Sequence, residues 1–419
     1  MRDAASVEAR PSWALPFCAW LTGALFFFYA WVLRVAPSVM VDELMADFGV
    51  GAAALGNLSA FYFYGYAGMQ IPVGMMIDRF GPRRPMAIAA ALCALGCVLF
   101  ALSPSFWGVA AGRFLIGASA AFSLVGAMAV AGQWFPPARF AVLSGLAMAL
   151  GMIGGVFGQA PLRLLIEAAD WRAATLLLAL GGAALALAAW GTVRDRRRGS
   201  GGIRHVLAGL RQVMANRQTW FIALAGLGAN GPLLGFAGLW GVPYLTAVYD
   251  VDRATAAGVT SSLFLGFGAG APLFGWLSDR IGRRRPPFIA GIALCAASMA
   301  AIVYLPGLSV SAIAVLCFLC GAGGSAQIIG FAAVREHNGI AVSGTAIGLV
   351  NGMVTGTGAL YQPLLGWLLD QNWDGKMEAG ARLYDGDAYR AAFGVLVAGA
   401  CLGVLCTFAM RETNCRQQV

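Results

Sequence analysis

Charged residues are scarce in this chain of 419 residues. They make up 11% of it, while 59% of the residues are hydrophobic, against roughly 25% and 45–50% in soluble domains. A soluble fold of this size could not bury so much apolar surface, so the composition excludes that class. It predicts instead an all-α polytopic membrane protein, in which each helix satisfies its own backbone hydrogen bonds in lipid.

Histidine and lysine are almost absent. His205, His337 and Lys376 are the only examples, so arginine supplies nearly all of the positive charge. Both histidines lie near the ends of apolar stretches and give no nucleophile–base pair or set of metal ligands, so we predict no enzyme, cofactor or metal site. The nine cysteines lie mostly inside apolar stretches and show neither a disulfide framework nor a zinc pattern.

Acidic residues are missing from the middle of every long apolar stretch. All 19 carboxylates lie in loops or near the ends of these stretches, including Asp42, Glu43, Asp47, Glu336 and Asp370. A proton-driven carrier usually needs a titratable group that senses both the ligand and the side of the membrane. If the chain proves to be a carrier, this absence favours uniport, exchange or movement together with another ion over proton coupling.

Twelve apolar runs are long enough to cross about 30 Å of hydrocarbon. They predict two bundles of six helices, 1–193 and 219–419, joined by a basic, glycine-rich cytoplasmic linker, 194–218, with a short surface helix around 203–214. The runs lie at about 14–39, 52–76, 86–103, 107–131, 140–162, 173–193, 219–246, 255–277, 287–305, 309–333, 341–369 and 390–410.

The basic residues are distributed unequally between the two sides of these runs. With both termini and the linker in the cytoplasm, 20 of the 28 basic residues lie on that side and six on the other. Because short cytoplasmic loops carry excess Arg and Lys, this asymmetry predicts the orientation in a bacterial inner membrane. The same asymmetry explains the net charge of +9. We therefore expect membrane lipid, and not nucleic acid, as the partner of the basic residues. We expect a monomer, and no cleavage of the tail Met1–Ser12.

Two arginines, Arg34 and Arg113, lie inside apolar runs, where an unpaired charge is costly. Counting the helical rise from each end puts both in the outer half of the membrane at similar depth. Each could snorkel to the headgroups or satisfy backbone carbonyls as a packing element. Alternatively, the two make an anion site, because a guanidinium can give a carboxylate or phosphate a bidentate pair of hydrogen bonds.

Other polar side chains in the runs are candidate substrate contacts. Tyr62 and Tyr66 share a helix face at four-residue spacing, although tyrosine is also a common interface anchor. Met148 and Met152 form a face that could bind copper(I), but with no matching histidine or cysteine we favour core packing. The full candidate set is Arg34, Arg113, Tyr29, Tyr62, Tyr66, Asn230, Gln327 and Tyr361.

A charged loop occurs twice in the chain. Residues 74–84 are G-M-M-I-D-R-F-G-P-R-R and residues 275–285 are G-W-L-S-D-R-I-G-R-R-R. Asp279 follows Asp78 by 201 residues, close to half the chain length. Two copies in register predict two related halves, each with the same helix–turn–helix corner at the same membrane face.

The pattern G-x-x-x-D-R-x-G-x-R-R after the second of six spans resembles the signature loop of the major facilitator superfamily of secondary transporters. The resemblance covers essentially the whole chain and implies transport by alternating access. In that family the loop forms a charge network that steadies one conformation and releases it during turnover. The gating residues implied are Asp78, Arg79, Arg83, Asp279, Arg280 and Arg284.

The segments 34–40, 59–67, 70–74, 113–117 and 134–139 are similar to the anion:cation symporter branch of this superfamily. That branch carries organic anions and uses arginines of its first and fourth spans, and related bacterial importers carry amino acids. Ala120 stands where some members have a glutamate, and the fifth span lacks the Gly-Pro pair typical of drug/proton antiporters.

We therefore expect a carrier of a small organic anion or amino acid, with a coupling ion as an open question. The alternatives are a drug/proton efflux antiporter, an importer of copper or another metal, and a non-transporting membrane sensor. A sensor would usually append a soluble domain, and an efflux antiporter would need a carboxylate within the membrane.

Overall fold

The computed structural model describes residues 14–195, 203–339 and 342–418. The tail Met1–Ser12 and part of the predicted linker lie outside these ranges, so the boundaries 1–193, 194–218 and 219–419 stay predictions. In the described residues the chain is helical apart from one small hairpin between two long helices.

Each predicted apolar run corresponds to one helix or to two or three consecutive helical elements. The elements of the first half and the linker are α1 Ala14–Val35, a 3-10 turn Ala36–Val39, α2 Val41–Phe48, α3 Ala52–Phe80, α4 Arg83–Leu102, α5 Phe106–Trp134, α6 Pro137–Phe157, α7 Ala160–Ala169, α8 Trp171–Thr192 and the linker helix α9 Ile203–Ala215.

The second half repeats this order of long helices. Its elements are α10 Arg217–Gly231, a π-helix Pro232–Trp240, α11 Gly241–Tyr249, α12 Arg253–Ile281, α13 Arg285–Tyr304, α14 Val310–Gly324, α15 Gln327–His337, α16 Ser343–Gln371, the antiparallel strands β1 Met377–Glu378 and β2 Ala381–Arg382, and α17 Gly386–Ala409.

The prediction of an all-α polytopic fold is confirmed, although fewer than twelve segments pass a strict test. Within the described ranges, ten helical segments are long and apolar enough to cross a membrane, or eleven if α2 and α3, bent by 113°, form one span. The helix α16 has 29 residues but is not among them, because glycine, threonine and asparagine make it more polar.

The helices pack closely where glycine removes the side chain. A Cβ on Gly117 of α5 would overlap the backbone of Tyr62 on α3, and one on Gly321 of α14 would overlap that of Leu263 on α12. Equivalent helices of the two halves thus meet at equivalent glycines. Such small residues are what lets helices approach in lipid, where hydrophobic attraction between helices is weak.

The repeated loops lie at one end of the bundle, which we call the arginine-loop face. After α3 and after α12 the chain reverses through Gly81 (φ +77°) and Gly282 (φ +69°), in a backbone region that favours glycine. An acid beyond the last long helix of each half then caps the next helix. Asp195 accepts from the Arg83 N–H at 3.0 Å, and Glu412 accepts from the Arg284 and Arg285 N–H groups at 2.8 and 2.9 Å.

The opposite end, which we call the vestibule face, contains a solvent-filled recess of about 700 Å³. Its walls come from α2, the α7–α8 connection, the start of α12 and the β-hairpin. The two halves meet beneath it through α3 against α16 and α6 against α12.

The cap formed by Glu412 predicts a pH-dependent stability. Burial alone would raise the pKa of Glu412, but N–H donors from Arg284, Arg285, Asn414 and Thr413 lower it below its ordinary value. The stabilisation is therefore complete above the ordinary pKa and is lost as the pH falls through the lowered one.

We expect Glu412→Gln to cost about 1 kcal/mol at neutral pH, as for a lost helix cap, and almost nothing in strong acid. Thermal unfolding of the purified chain at several pH values measures this. Glu378→Gln, at an exposed hairpin position, is the matched control, and an equal cost for Glu412→Gln at every pH would contradict the assignment.

Candidate substrate site between the two halves

Arg34 lies in the last turn of α1 and is only 4% exposed. Helical side chains lean toward the helix N-terminus, so the guanidinium lies nearer the membrane centre than its Cα. Its Cζ is 4.1 Å from the ring centre of Trp31, 4.9 Å from that of Tyr66 and 5.4 Å from that of Tyr62, and its Nε donates to the Tyr62 hydroxyl at 3.4 Å. Three aromatic faces therefore partly compensate its charge.

Tyr62 and Tyr66 form the wall beside this guanidinium. Their rings stack with centroids 6.0 Å apart and planes 15° apart. The Tyr62 hydroxyl also donates to the backbone carbonyl of Ala30 at 3.3 Å. The tyrosines and Arg34 thus form one connected group at the junction of α1 and α3.

Arg113 has a different environment, although it is also buried, at 2% exposure. Its guanidinium donates to the carbonyls of Leu33 at 2.7 Å, Arg34 at 3.3 Å and Ser59 at 3.4 Å. The Leu33 and Arg34 carbonyls belong to the last turn of α1, which has no partners within its own helix. The space beside Arg113 is about 10 Å³, enough for about one water molecule. Arg113 thus caps α1 and ties it to α3.

Neither arginine is neutralised by an acid. Among the residues that the structure describes, the ion pairs lie near the ends of the bundle, and none includes Arg34 or Arg113. The absence of mid-span acids from the sequence therefore has a direct structural consequence. Arg113 is compensated by backbone carbonyls, whereas Arg34 has one long hydrogen bond and aromatic rings.

The remaining candidates lie in two other places. The Tyr29 hydroxyl donates to the Leu178 carbonyl of α8 at 2.8 Å and lies 3.5 Å from the Cys97 sulfur of α4, so it faces helices of its own half. Asn230 and Gln327 belong to the second half, where Asn230 donates to the Val354 carbonyl at 2.8 Å. The Asn230 Oδ1 and Gln327 Oε1 atoms are buried without a partner among the described atoms. Tyr361 packs over glycines of α10 and α17.

Trp31 belongs to this site and was not predicted. Its ring stacks on Arg34, and its Nε1–H is buried without a hydrogen-bond acceptor in the described part of the chain. Its ring also contacts Phe264 of α12 at 6.2 Å, so it lies at the junction of the two halves. The three-residue spacing from Arg34 was the available signal, since residues three apart lie on one helix face.

The helices α3 and α16 are in close contact at their ends nearer the vestibule face. A Cβ on Gly56 of α3 would overlap the carbonyl of Gln362, and one on Gly366 of α16 would overlap that of Ala52. Gly74 and Gly348 lie eighteen residues from Gly56 and Gly366, which is five turns and so the same helix face.

A Cβ on Gly74 or Gly348 would meet no atom within 4 Å. The same two helix faces are therefore in contact near the vestibule and separated near the arginine loops. The space between the halves opens toward the arginine-loop face.

The gating candidates lie around that opening. Asp78 and Arg79 are exposed at the end of α3, and Arg83 donates to the Trp190 carbonyl at 2.9 Å. In the second half, Arg284 pairs with Asp279 at 2.6 Å and Glu336 at 2.7 Å, and Arg280 lies 5.0 Å from the Trp276 ring centre. These contacts lie within single halves.

Known transporters resemble this chain in sequence and in fold. The sequence model of the Major Facilitator Superfamily matches residues 19–249 and 233–415. The chain is 24% identical to the gentisate transporter of Corynebacterium glutamicum over 83% of its own length and 80% of the relative's. It is 27% identical to the probable sulfoacetate transporter SauU of Cupriavidus necator, over 37% of its own length and 36% of the relative's. Several curated relatives, SauU among them, are matched over only about a quarter to a third of their length.

Solved structures of transporters share the fold. An inward-facing, unoccupied bacterial homologue of the human lysosomal transporter Spinster superposes with a TM-score of 0.75 at 17% identity, over 96% of this chain and 98% of that one. A point mutant of the nucleoside transporter NupG superposes with a TM-score of 0.76 at 14% identity, over 94% of this chain and 99% of that one.

The unequal environments of the two arginines predict unequal effects on stability. Arg113→Ala leaves the Leu33 and Arg34 carbonyls at the end of α1 without this donor and removes the tie to α3, so we expect it to lower the free energy of unfolding by about 2–4 kcal/mol. Arg34→Ala removes a poorly compensated charge and should change it by less than about 1 kcal/mol. Thermal and denaturant unfolding of the purified variants measures this. Equal losses would mean that Arg34 is as structural as Arg113.

Proposed function

Because the chain belongs to the Major Facilitator Superfamily, we propose that it transports a small organic anion, with Arg34 as the main anion contact. Transport of a small solute by alternating access between two halves is the activity of this family. What remains to be assigned is the substrate and the residues that hold it.

The unpaired Arg34 guanidinium is the observation that supports an anion. It is buried at the junction of the halves, remains charged at any physiological pH, and has no carboxylate partner in the described residues. An anion bound there would gain charge-assisted hydrogen bonds and remove the cost of an uncompensated charge. The Trp31 Nε1–H beside it is a second donor for the same anion.

The chemistry of the site favours an organic anion over an amino acid. An amino acid carries an ammonium group that needs an acid or a cluster of carbonyls, and the acids of the described chain lie near the ends of the bundle. The similar proteins include gentisate, sulfoacetate and nitrate/nitrite transporters, whose names refer to anions. Both lines support the same substrate class.

The other candidates take supporting roles in this proposal. Tyr62 and Tyr66 form the wall of the anion site, and Arg113 is a positioning residue that holds the end of α1. Asn230, Gln327 and Tyr361 bind the polar part of the substrate on the side of the second half. The Tyr29 hydroxyl is already bonded to α8, so we assign it to helix packing and no longer to the substrate.

We propose that the arginine-loop face is cytoplasmic in a bacterial inner membrane, because it carries the excess of arginine. The observed conformation is then open to the cytoplasm. The protein acts as a monomer, with lipid and the substrate as its partners and no catalytic step. Among the described residues, no three His, Cys, Asp or Glu side chains are grouped so that they could hold a metal ion, so no such group joins Met148 and Met152 in support of a copper importer.

Ligand-induced thermal stabilisation tests the substrate class. The purified chain is screened against gentisate, sulfoacetate and nitrate, with choline and a panel of neutral amino acids as the non-anionic comparison. Stabilisation by at least one anion and none by choline is expected. If only cations or amino acids stabilise the chain, the anion proposal fails.

Arg34→Lys and Arg34→Ala test the assigned contact with whichever of these anions binds. Loss of one charge-assisted pair should weaken binding about 10- to 150-fold, since it is worth about 1.5–3 kcal/mol. Lysine cannot copy the planar fork and should rescue little of the loss. Arg390→Lys, at an exposed ion pair on the vestibule face, is the control. Unchanged affinity in Arg34→Ala would remove Arg34 from the site.

The repeated loops are proposed as gates that close the arginine-loop face in the opposite conformation. Asp78 is exposed here, so we expect it to find its partners only when that face closes. Asp78→Asn should slow transport in proteoliposomes at least several-fold while equilibrium binding changes little. A large loss of affinity with unchanged turnover would contradict a gating role.

A further inference from the structure

The helix α3, which packs against α16 where the two halves meet, has no capping side chain at its own N-terminus. The residue before α3 is Gly51, which has no side chain to accept the free N–H groups of the first turn. Those N–H groups are satisfied from the other half of the molecule. Ala52 and Ala53 donate to the two carboxylate oxygens of Asp370, at the end of α16, at 3.1 and 2.9 Å.

The contact is built from several groups of the second half. Tyr384 accepts a second hydrogen bond from the Ala52 N–H at 3.0 Å and donates to the Asp370 carboxylate. Arg382 donates to the same carboxylate at 3.0 Å. A Cβ on Gly51 would lie 2.7 Å from the carboxylate oxygens of Asp370 and from Arg382, so glycine permits this close approach.

The repeat shows that this arrangement is particular to one half. The helix α12 starts at Arg253, which follows Ala52 by 201 residues, and Asp252 stands where the first half has Gly51. Asp252 caps its own helix by accepting from the Thr255 N–H at 2.8 Å. Equivalent helices are thus capped differently, one from within its half and one from across the interface.

A second charged contact crosses the same interface. Arg253 donates to Asp42 of α2 at 2.6 Å and lies 3.4 Å from Glu43. Glu43 also binds Arg163 of its own half at 2.6 Å. These side chains are between 24% and 40% exposed apart from Arg163, so water from the vestibule can solvate them once they separate.

We propose that Asp370 is a gating residue whose carboxylate, by capping α3 from the opposite half, holds the vestibule face closed. The pair between Arg253 and the Asp42–Glu43 acids reinforces this closure. Opening the vestibule face separates α16 from α3, so the N–H groups of Ala52 and Ala53 then turn to water. The anionic oxygens at the positive end of α3 make this an electrostatic contact as well as a set of hydrogen bonds.

Hydrogen–deuterium exchange tests this proposal without a substrate. The full chain in lipid nanodiscs is compared with Asp370→Ala and Asp370→Asn at one pH. We expect the opening equilibrium to rise about 10-fold or more, because charged contacts of this kind are worth that factor. Exchange should accelerate at the start of α3. It should slow at the arginine-loop ends of α3 and α16, because that side closes when the vestibule opens.

Two controls separate gating from simple helix capping. Asp252→Ala removes a cap of the same kind within one half, so it should accelerate exchange at the start of α12 and slow exchange nowhere. Gly51→Ser combined with Asp370→Ala gives α3 a cap of its own, and the neutral serine makes no ion pair with Arg382 across the interface. This double variant should restore protection at the first turn of α3 while the arginine-loop ends stay protected as in Asp370→Ala.

The combination of faster exchange at the start of α3 and slower exchange at the arginine-loop ends distinguishes the possible outcomes. Faster exchange at α3 alone, or no change in Asp370→Ala and Asp370→Asn, would overturn the proposal. If Asp370→Ala exchanges faster throughout because it folds poorly, the conservative Asp370→Asn decides on the same criterion. The result is independent of the anion assigned to Arg34, so failure of one proposal leaves the other standing.

Discussion

An arginine guanidinium stays protonated, so its positive charge must be compensated by other groups wherever it is buried away from water in the membrane. This constraint explains why the two buried arginines differ so much. Arg113 is compensated by the carbonyls at the end of α1, which need a donor because the helix stops there. Arg34 is left with aromatic faces and a single long hydrogen bond. Because the spans contain no acids, the positive charge of Arg34 stays available, and an anion is the group best suited to compensate it.

The position of that charge depends on the way the halves meet. Trp31 stacks on Arg34 and contacts Phe264 across the interface, so the same aromatic ring belongs to the anion site and to the contact between halves. A movement that separates α1 from α12 must also change the surroundings of Arg34. If Arg34 binds the anion as proposed, this ring links binding to conformational change by direct contact, without a long pathway.

Much of the fold could be predicted from the sequence, because long apolar runs and the repeated loop are strong signals. Tyr62 and Tyr66 were predicted to share a helix face, since four-residue spacing is a local property. Arg34 was expected to form a site with Arg113, and its contact with the two tyrosines was not predicted. For Arg113 the sequence left packing on backbone carbonyls and anion binding as open alternatives, because carbonyl partners on α1 and α3 have no signature in the sequence. The cap on α3 was missed because its acid, Asp370, is 318 residues from Ala52. Pairings at that distance depend on the packing of the two halves.

Closure brings different sets of charges together at the two ends of the molecule. At the vestibule face, Asp42, Glu43 and Asp370 meet Arg253 and a helix N-terminus, so closing brings opposite charges together. At the arginine-loop face, each half carries three or four arginines in its repeated loop, and closing brings like charges together.

Such a closure requires negative charge at the contact, and each loop contains one aspartate in register, Asp78 or Asp279. In the open arrangement Asp279 pairs with Arg284 of its own loop while Asp78 is exposed. Under the proposed gating role, the exposed Asp78 is the carboxylate that would pair with the arginines of the other half, which gives the repeated acid a physical reason beyond ending a helix.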